Sequence, residues 1–164
     1  GVNNAPEPVD DTYQVDQDEV LTTPQGNLAG VLANDTDPDL GDHILLSRLQ
    51  GQAFPGGSAT VTGTSAQGAA VTLNLNGTLT YDPTISGVLS GLNGGQQLVD
   101  TFTYAIVDDF GLEGTATVSV TVLGVNKGPT AVDDAILTGV NEDTQHIIPD
   151  SLSHTGVLLN DTDP

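Results

Sequence analysis

The sequence predicts an all-β protein built as two antiparallel sheets packed face to face with Greek-key connections. Three observations predict it. Short segments alternate apolar and polar residues, Gly- and Asn-rich turns separate those segments, and no window sustains a helical period.

Residues 9–15 alternate with period two, which places Val9, Tyr13 and Val15 on one face. A short strand is expected at residues 20–22, an apolar contact segment at 30–33, and a strand at 44–49. Residues 69–75 alternate again, with Val71, Leu73 and Leu75 together. Asn76-Gly77 then supplies a type I′ hairpin signal, because both central residues of that turn need positive φ. Its partner strand, 78–81, ends in a turn at Asp82-Pro83, and residues 85–92 hold at most a helical turn. The last two strands are the plainest. Phe102, Tyr104 and Ile106 share one face, and Ala116, Val118, Val120 and Val122 share another, with a connecting turn at Asp108-Asp109-Phe110-Gly111.

Composition narrows the function. The chain has 164 residues, 22 acidic side chains against two basic ones, and a formal charge of -20. Arg48 and Lys127 alone cannot meet a phosphate backbone, so neither nucleic acid nor an anionic membrane surface is an expected partner. Eighteen of the acids are Asp, a residue that favours turns and offers a short carboxylate to hard cations. Self-repulsion of this charge destabilises the compact state unless cations compensate. Without cysteine there is no disulfide, thiol nucleophile or zinc–thiolate site. No apolar run reaches 18 residues and no basic leader precedes one, so no membrane insertion is expected from this segment.

The chain repeats itself. Gly1-Val2-Asn3-Asn4-Ala5-Pro6 returns as Gly124-Val125-Asn126-Lys127-Gly128-Pro129, and Val9-Asp10-Asp11 as Val132-Asp133-Asp134, both at an offset of 123. Residues 30–38, GVLANDTDP, return as 156–164, GVLLNDTDP, at an offset of 126. Three blocks in one order indicate a tandem array. Residues 1–128 are read as one complete repeat with its linkers, and 129–164 as the truncated start of the next. The second piece is too short to close a sandwich. The sequence leaves open whether it is disordered, pairs with an edge of the first domain, or completes another copy by strand exchange.

These residues carry a family resemblance. The linker Val2-Asn3-Asn4-Ala5-Pro6, then Asp10-Asp11-Thr12-Tyr13, Asp18-Glu19, residues 30–37, the 76–81 hairpin and Asp100-Thr101-Phe102-Thr103-Tyr104 occur in one order. The set resembles the bacterial cadherin-like and VCBS-type tandem repeats of large secreted (RTX-type) surface adhesins. The resemblance implies an immunoglobulin-like or cadherin-like sandwich, calcium at junctions or end loops, and an extracellular role as an extender in adhesion or biofilm attachment. Neighbouring repeats of the same polypeptide would be its partners, with a host surface or polysaccharide as ligand of the parent protein. Lys127-Gly128-Pro129 departs from the family's Asp-Ala-Pro, so one acidic ligand is missing at that junction.

Two acidic constellations are candidate cation sites. Asp35, Asp37 and Asp39 alternate before a Gly-assisted turn and Asp42, a spacing that can direct several oxygens to one centre. The bland reading is an acidic surface turn held by Asx hydrogen bonds. The second set is long-range: Asp10 and Asp11, Asp18 and Glu19, and Asp108 and Asp109, with Asn126, Asp133 and Asp134 at the junction. Here the bland reading is surface acidity without a specific metal. His43, His146 and His154 are too scattered for a ligand triad.

Three functions compete. A calcium-rigidified extender explains the repeat and the acids. A carbohydrate-binding module needs exposed aromatic platforms. Trp is absent, and of the six Tyr and Phe residues only Phe54 and Phe110 fall outside core-like positions. No Ser–His–Asp order, phosphate loop or metal-hydrolase motif is present, so the chain is not expected to be an enzyme.

Overall fold

The computed structural model describes residues 2–24 and 30–132. The chain divides into two units, Gly1–Val125 and Asn126–Pro164. Only 126–132 of the second fall among the described residues, so the expectations for the truncated repeat, including strand exchange, lie outside them.

The first unit is a sandwich of two sheets. Strands β1 (Asp11–Asp16), β3 (Leu45–Leu49), β4 (Gln52–Ala53), β8 (Gln97–Val107) and β9 (Glu113–Leu123) form a five-stranded sheet in the order β1-β9-β8-β3-β4. Strands β2 (Leu21–Thr22), β5 (Thr60–Thr64), β6 (Ala70–Asn74) and β7 (Leu79–Asp82) form the second, in the order β2-β7-β6-β5. Pairing is antiparallel except between β1 and β9, where Asp11 to Asp16 run alongside Val118 to Leu123. This is the all-β, two-sheet architecture that the alternation predicts, and it is consistent with the immunoglobulin-like or cadherin-like sandwich that the resemblance implies.

Burial follows that alternation. Phe102, Tyr104 and Ile106 of β8 and Ala116, Val118, Val120 and Val122 of β9 turn into the core, where they meet Val71, Leu73, Leu79 and Tyr81 of the opposite sheet. Tyr81 stacks on Phe102 across the sandwich, with ring centroids 6.4 Å apart. Thr and Ser residues of β9 occupy the other face, where a β-branched side chain suits the pleat.

Three local expectations need correction, those for Val9, the turn type at Asn76-Gly77 and Leu75, whereas the apolar contact segment at 30–33 is found as expected. Val9 lies ahead of β1 and is 48% exposed, because Asp35 captures its N–H at 2.8 Å before the strand begins. Asp11 takes its place on the inward face with Tyr13 and Val15. Residues 30–32 form a 3₁₀ turn that buries Val31 and Leu32. Glycine is required at its start, since Gly30 has φ 58° and a β-carbon there would collide with the Gly77 carbonyl. The β6–β7 hairpin is not type I′. Asn74 N–H donates to Thr78 O and Gly77 N–H to Asn74 O, and of Leu75, Asn76 and Gly77 only the glycine has positive φ, at 88°. Leu75 thus sits in the turn, exposed, rather than on the core face of β6.

Strands β4 and β5 have no counterpart in the sequence expectations. In β5 only Val61 is buried, and one inward residue among Thr and Gly leaves no readable alternation.

Candidate metal centre

One end of the sandwich gathers three chain segments. The N-terminal segment is tied down by an antiparallel bridge between Glu7 and Thr36. The connection from the 3₁₀ turn to β3 carries Asp37, Asp39 and Asp42, and the β8–β9 turn carries Asp108 and Asp109. Gly111, with φ 91°, allows the latter turn to close, and Asp108 N–H donates to Leu112 O across it.

Asp37, Asp42 and Asp108 each place one carboxylate oxygen within 4.8 Å of the others. Asp108 is the best supported of them. Its Oδ1 accepts from Phe110 N and Leu112 N at 2.9 and 2.8 Å, and its Oδ2 from the Asn3 amide at 2.7 Å. Desolvation pushes this carboxyl up, but the hydrogen bonds from Asn3, Leu112, Phe110 and Gly111 outweigh it and hold the group below the usual carboxylate range. Asp42 is driven the other way, by desolvation first and then by the charges of Asp37, Asp109, Asp39 and Asp108.

Hydrogen bonding leaves acceptors over. Asp37 Oδ1 takes the Asp39 N–H at 2.8 Å, but Asp37 Oδ2 is buried with no partner. Asp42 Oδ2 and Asn3 Oδ1 are buried and unpartnered as well. Buried oxygens without donors are costly, and carboxylates this close repel unless positive charge lies between them. The donor set, oxygen alone, suits a hard cation.

The other candidates go elsewhere. Asp39 holds the linker, accepting from Asn4 N at 2.6 Å and Asn4 Nδ2 at 3.3 Å. Asp109 pairs with His43 Nδ1 at 3.0 Å; that contact lowers the Asp109 carboxyl and raises the imidazole. Asp10 accepts the Thr117 N–H at 2.8 Å. Asp18 and Glu19 are exposed in the turn after β1, beside the end of β9. The β8–β9 turn lies at the other end of that strand, on the order of 33 Å away at ~3.3 Å per residue. The structure does not bring Asp18 and Glu19 to the centre. Asn126 is exposed in the second unit, and Asp133 and Asp134 lie outside the described residues.

Asp35 separates from Asp37 to join Asp11 and Tyr104. The Tyr104 hydroxyl lies 3.1 and 3.0 Å from the two Asp35 oxygens and 2.9 Å from Val31 O. Burial pushes Asp11 up to about 6, eased by Tyr104 and reinforced by the neighbouring Asp35 charge. Desolvation likewise raises Asp35 and Tyr104.

Asn3 is the candidate residue that the sequence analysis misses. The signal was present, because the candidate Asn126 is Asn3 displaced by one repeat of 123 residues.

Among the described residues no helix is long and apolar enough to cross a membrane. Residues 3–124 match the family described as bacterial cadherin-like domain. The chain is also similar in structure to a nucleoside hydrolase-related hypothetical protein from Saccharophagus degradans, described as associated with carbohydrate metabolism. That likeness has 16% identity and a TM-score of 0.40, and covers 73% of this chain but 26% of the other. The chain thus spans about a quarter of that protein. No curated protein sequence matches it. With the family match running through every strand of the sandwich, the chain belongs to the bacterial cadherin-like domains and is a non-catalytic β-sandwich module.

Proposed function

We propose that this module is a calcium-binding structural extender, one of a tandem series in a secreted or cell-surface bacterial adhesin. The observation that carries the reading is the set of buried, unpartnered oxygens of Asn3, Asp37 and Asp42 beside Asp108. Calcium takes six to eight oxygen ligands at about 2.3–2.6 Å and tolerates irregular geometry, which suits ligands drawn from three separate segments. Because Asn3 belongs to the linker, a cation here would fasten the entering chain to the loops of the sandwich. Asn126 and Asp163 repeat Asn3 and Asp37, so the same centre would recur along the array. The complete repeat is residues 1–128, with 129–164 opening the next.

The test is thermal unfolding of the chain with millimolar calcium, with chelator, and with magnesium or monovalent salt at matched ionic strength. A cation bound by the folded state alone raises apparent stability by mass action. A rise with calcium only is the expected result; an equal rise with every salt means charge screening and overturns the specific site.

The carbohydrate-binding reading keeps one aromatic. Phe54 packs against the core, whereas Phe110 is 72% exposed on the β8–β9 turn. Glycan binding that is lost in Phe110→Ala is the result that would favour it.

A further inference from the structure

The chain contains two Asn-Gly pairs, Asn76-Gly77 and Asn93-Gly94, and the fold treats them oppositely. In this dipeptide the glycine nitrogen can attack the side-chain carbonyl carbon of the asparagine, because no β-carbon on the glycine obstructs the approach. The attack needs a glycine N–H free of hydrogen bonds and a side-chain amide free to turn toward it. At Asn76-Gly77 neither is available. Gly77 is buried, its N–H donates to Asn74 O at 2.8 Å, and its carbonyl accepts from Val31 N at 3.0 Å. Asn76 Oδ1 is held as well, accepting from Thr78 N at 3.1 Å. At Asn93-Gly94 both are free. The two residues are exposed in the turn before β8, and among the described residues neither the Gly94 N–H nor the Asn93 side-chain amide makes a hydrogen bond. The main chain of Asn93, by contrast, is in use. Its N–H donates to Gln96 Oε1 at 2.8 Å and its carbonyl accepts from Gln96 N at 2.9 Å. That turn grips the chain where β9 ends. Gln96 O accepts from Gly124 N at 2.8 Å, and a β-carbon on Gly124 would collide with the Asn93 carbonyl.

We infer that Asn93 is a site of spontaneous deamidation, with water as the co-reactant, and that its product loosens the exit of β9. The Gly94 nitrogen bonds to Asn93 Cγ, the Cγ–Nδ2 bond breaks, and ammonia leaves with the proton that Gly94 gives up. Water then opens the cyclic imide at either carbonyl, giving aspartate or isoaspartate. Both products add a negative charge. Isoaspartate also routes the main chain through Cβ, which lengthens the turn, and it converts the former Asn93 carbonyl into a free carboxylate. The acceptor for Gln96 N and the surface against which Gly124 rests are then displaced together. The turn lies at the opposite end of β8 from Asp108, so neither this chemistry nor its test involves the proposed cation.

The test is to incubate the full chain at mildly alkaline pH, folded in buffer and unfolded in urea, and to map aspartate and isoaspartate by peptide mass spectrometry. In the folded chain Asn93 should react about thirtyfold faster than Asn76, the factor that two ordinary hydrogen bonds imply. In urea the two should react alike. Equal rates in the folded chain, or a faster Asn76, overturn the site. The same preference for Asn93 in urea overturns the structural cause, since local sequence would then set the rates. Amide hydrogen exchange reads the consequence. The Gly124 amide should exchange faster in the isoaspartate fraction than in Asn93→Asp, which carries the same charge on a normal backbone. Unchanged protection of Gly124 in the isoaspartate fraction overturns the loosening.

Discussion

Asp100 and Asp42 both hold carboxylate oxygen away from water, yet the fold provides for them differently. Asp100, in β8, is 1% exposed. Its Oδ1 accepts from Gln67 N and Thr101 N, each at 2.8 Å, and its Oδ2 from the Tyr81 hydroxyl at 2.7 Å. Those donors come from β8 itself, the β5–β6 turn and the opposite sheet, so the carboxylate fastens three parts of the sandwich. Asp42 has acidic neighbours and a buried oxygen with nothing to accept from. One carboxylate is complete within the chain, and the other has an acceptor that the chain leaves unfilled. Donor supply, more than burial, separates Asp100 from a candidate ligand.

The contrast can be broken by experiment. Asp100→Ala should have the largest effect, because it strands the Tyr81 hydroxyl and two N–H groups in the core. A loss of about 3–5 kcal/mol is expected in denaturant unfolding, the same with calcium or chelator. A calcium-dependent loss would mean that Asp100 is coupled to the metal centre. Saturating the centre comes next: calcium at about 100 times its dissociation constant should add ~2.7 kcal/mol to the unfolding free energy. Asp42→Asn should abolish most of that increment while leaving the chelated protein as stable as before, or more so, because a repelling charge is gone. A loss of stability in chelator would contradict the assigned repulsion.

Acid titration sharpens the comparison further. A carboxyl raised in the folded state favours folding while protonated, and that contribution is lost as pH rises through its folded pKa. Relative to Asp11→Asn, the metal-free protein should lose on the order of 1–2 kcal/mol between pH 4 and 7, the interval spanning the Asp11 rise from 3.8 to about 6. Asp108 and Asp109 act oppositely, since both are lowered, and their contribution fades as pH falls below the carboxylate range. The smallest effect belongs to the far end. Asp18→Asn with Glu19→Gln should change stability by no more than about 0.5 kcal/mol and leave calcium binding unchanged in titration calorimetry.

Much of the sandwich is legible in the chain because side-chain alternation is a local property. Phe102, Tyr104 and Ile106, like Val118, Val120 and Val122, lie on the buried faces that period two assigns them. The turn at Asp108–Gly111 is equally local, set by residues that accept bent backbone. The short strands β4 and β5 escape notice for the converse reason, having almost nothing apolar to alternate.

The site was legible as a composition and not as a constellation. Sequence alone supplies the acidity, the repeat and the loop from Asn34 to Asp42, and these already point to a hard cation. It cannot say that Asp35 leaves that loop to meet Tyr104, that Asp109 is taken by His43, or that Asn3 arrives from the linker to face Asp108. Those pairings join residues 69, 66 and 105 positions apart, or segments that meet only after two sheets have closed. Alternation is written into neighbouring residues, whereas convergence of charge depends on which loops the finished sandwich brings to one end.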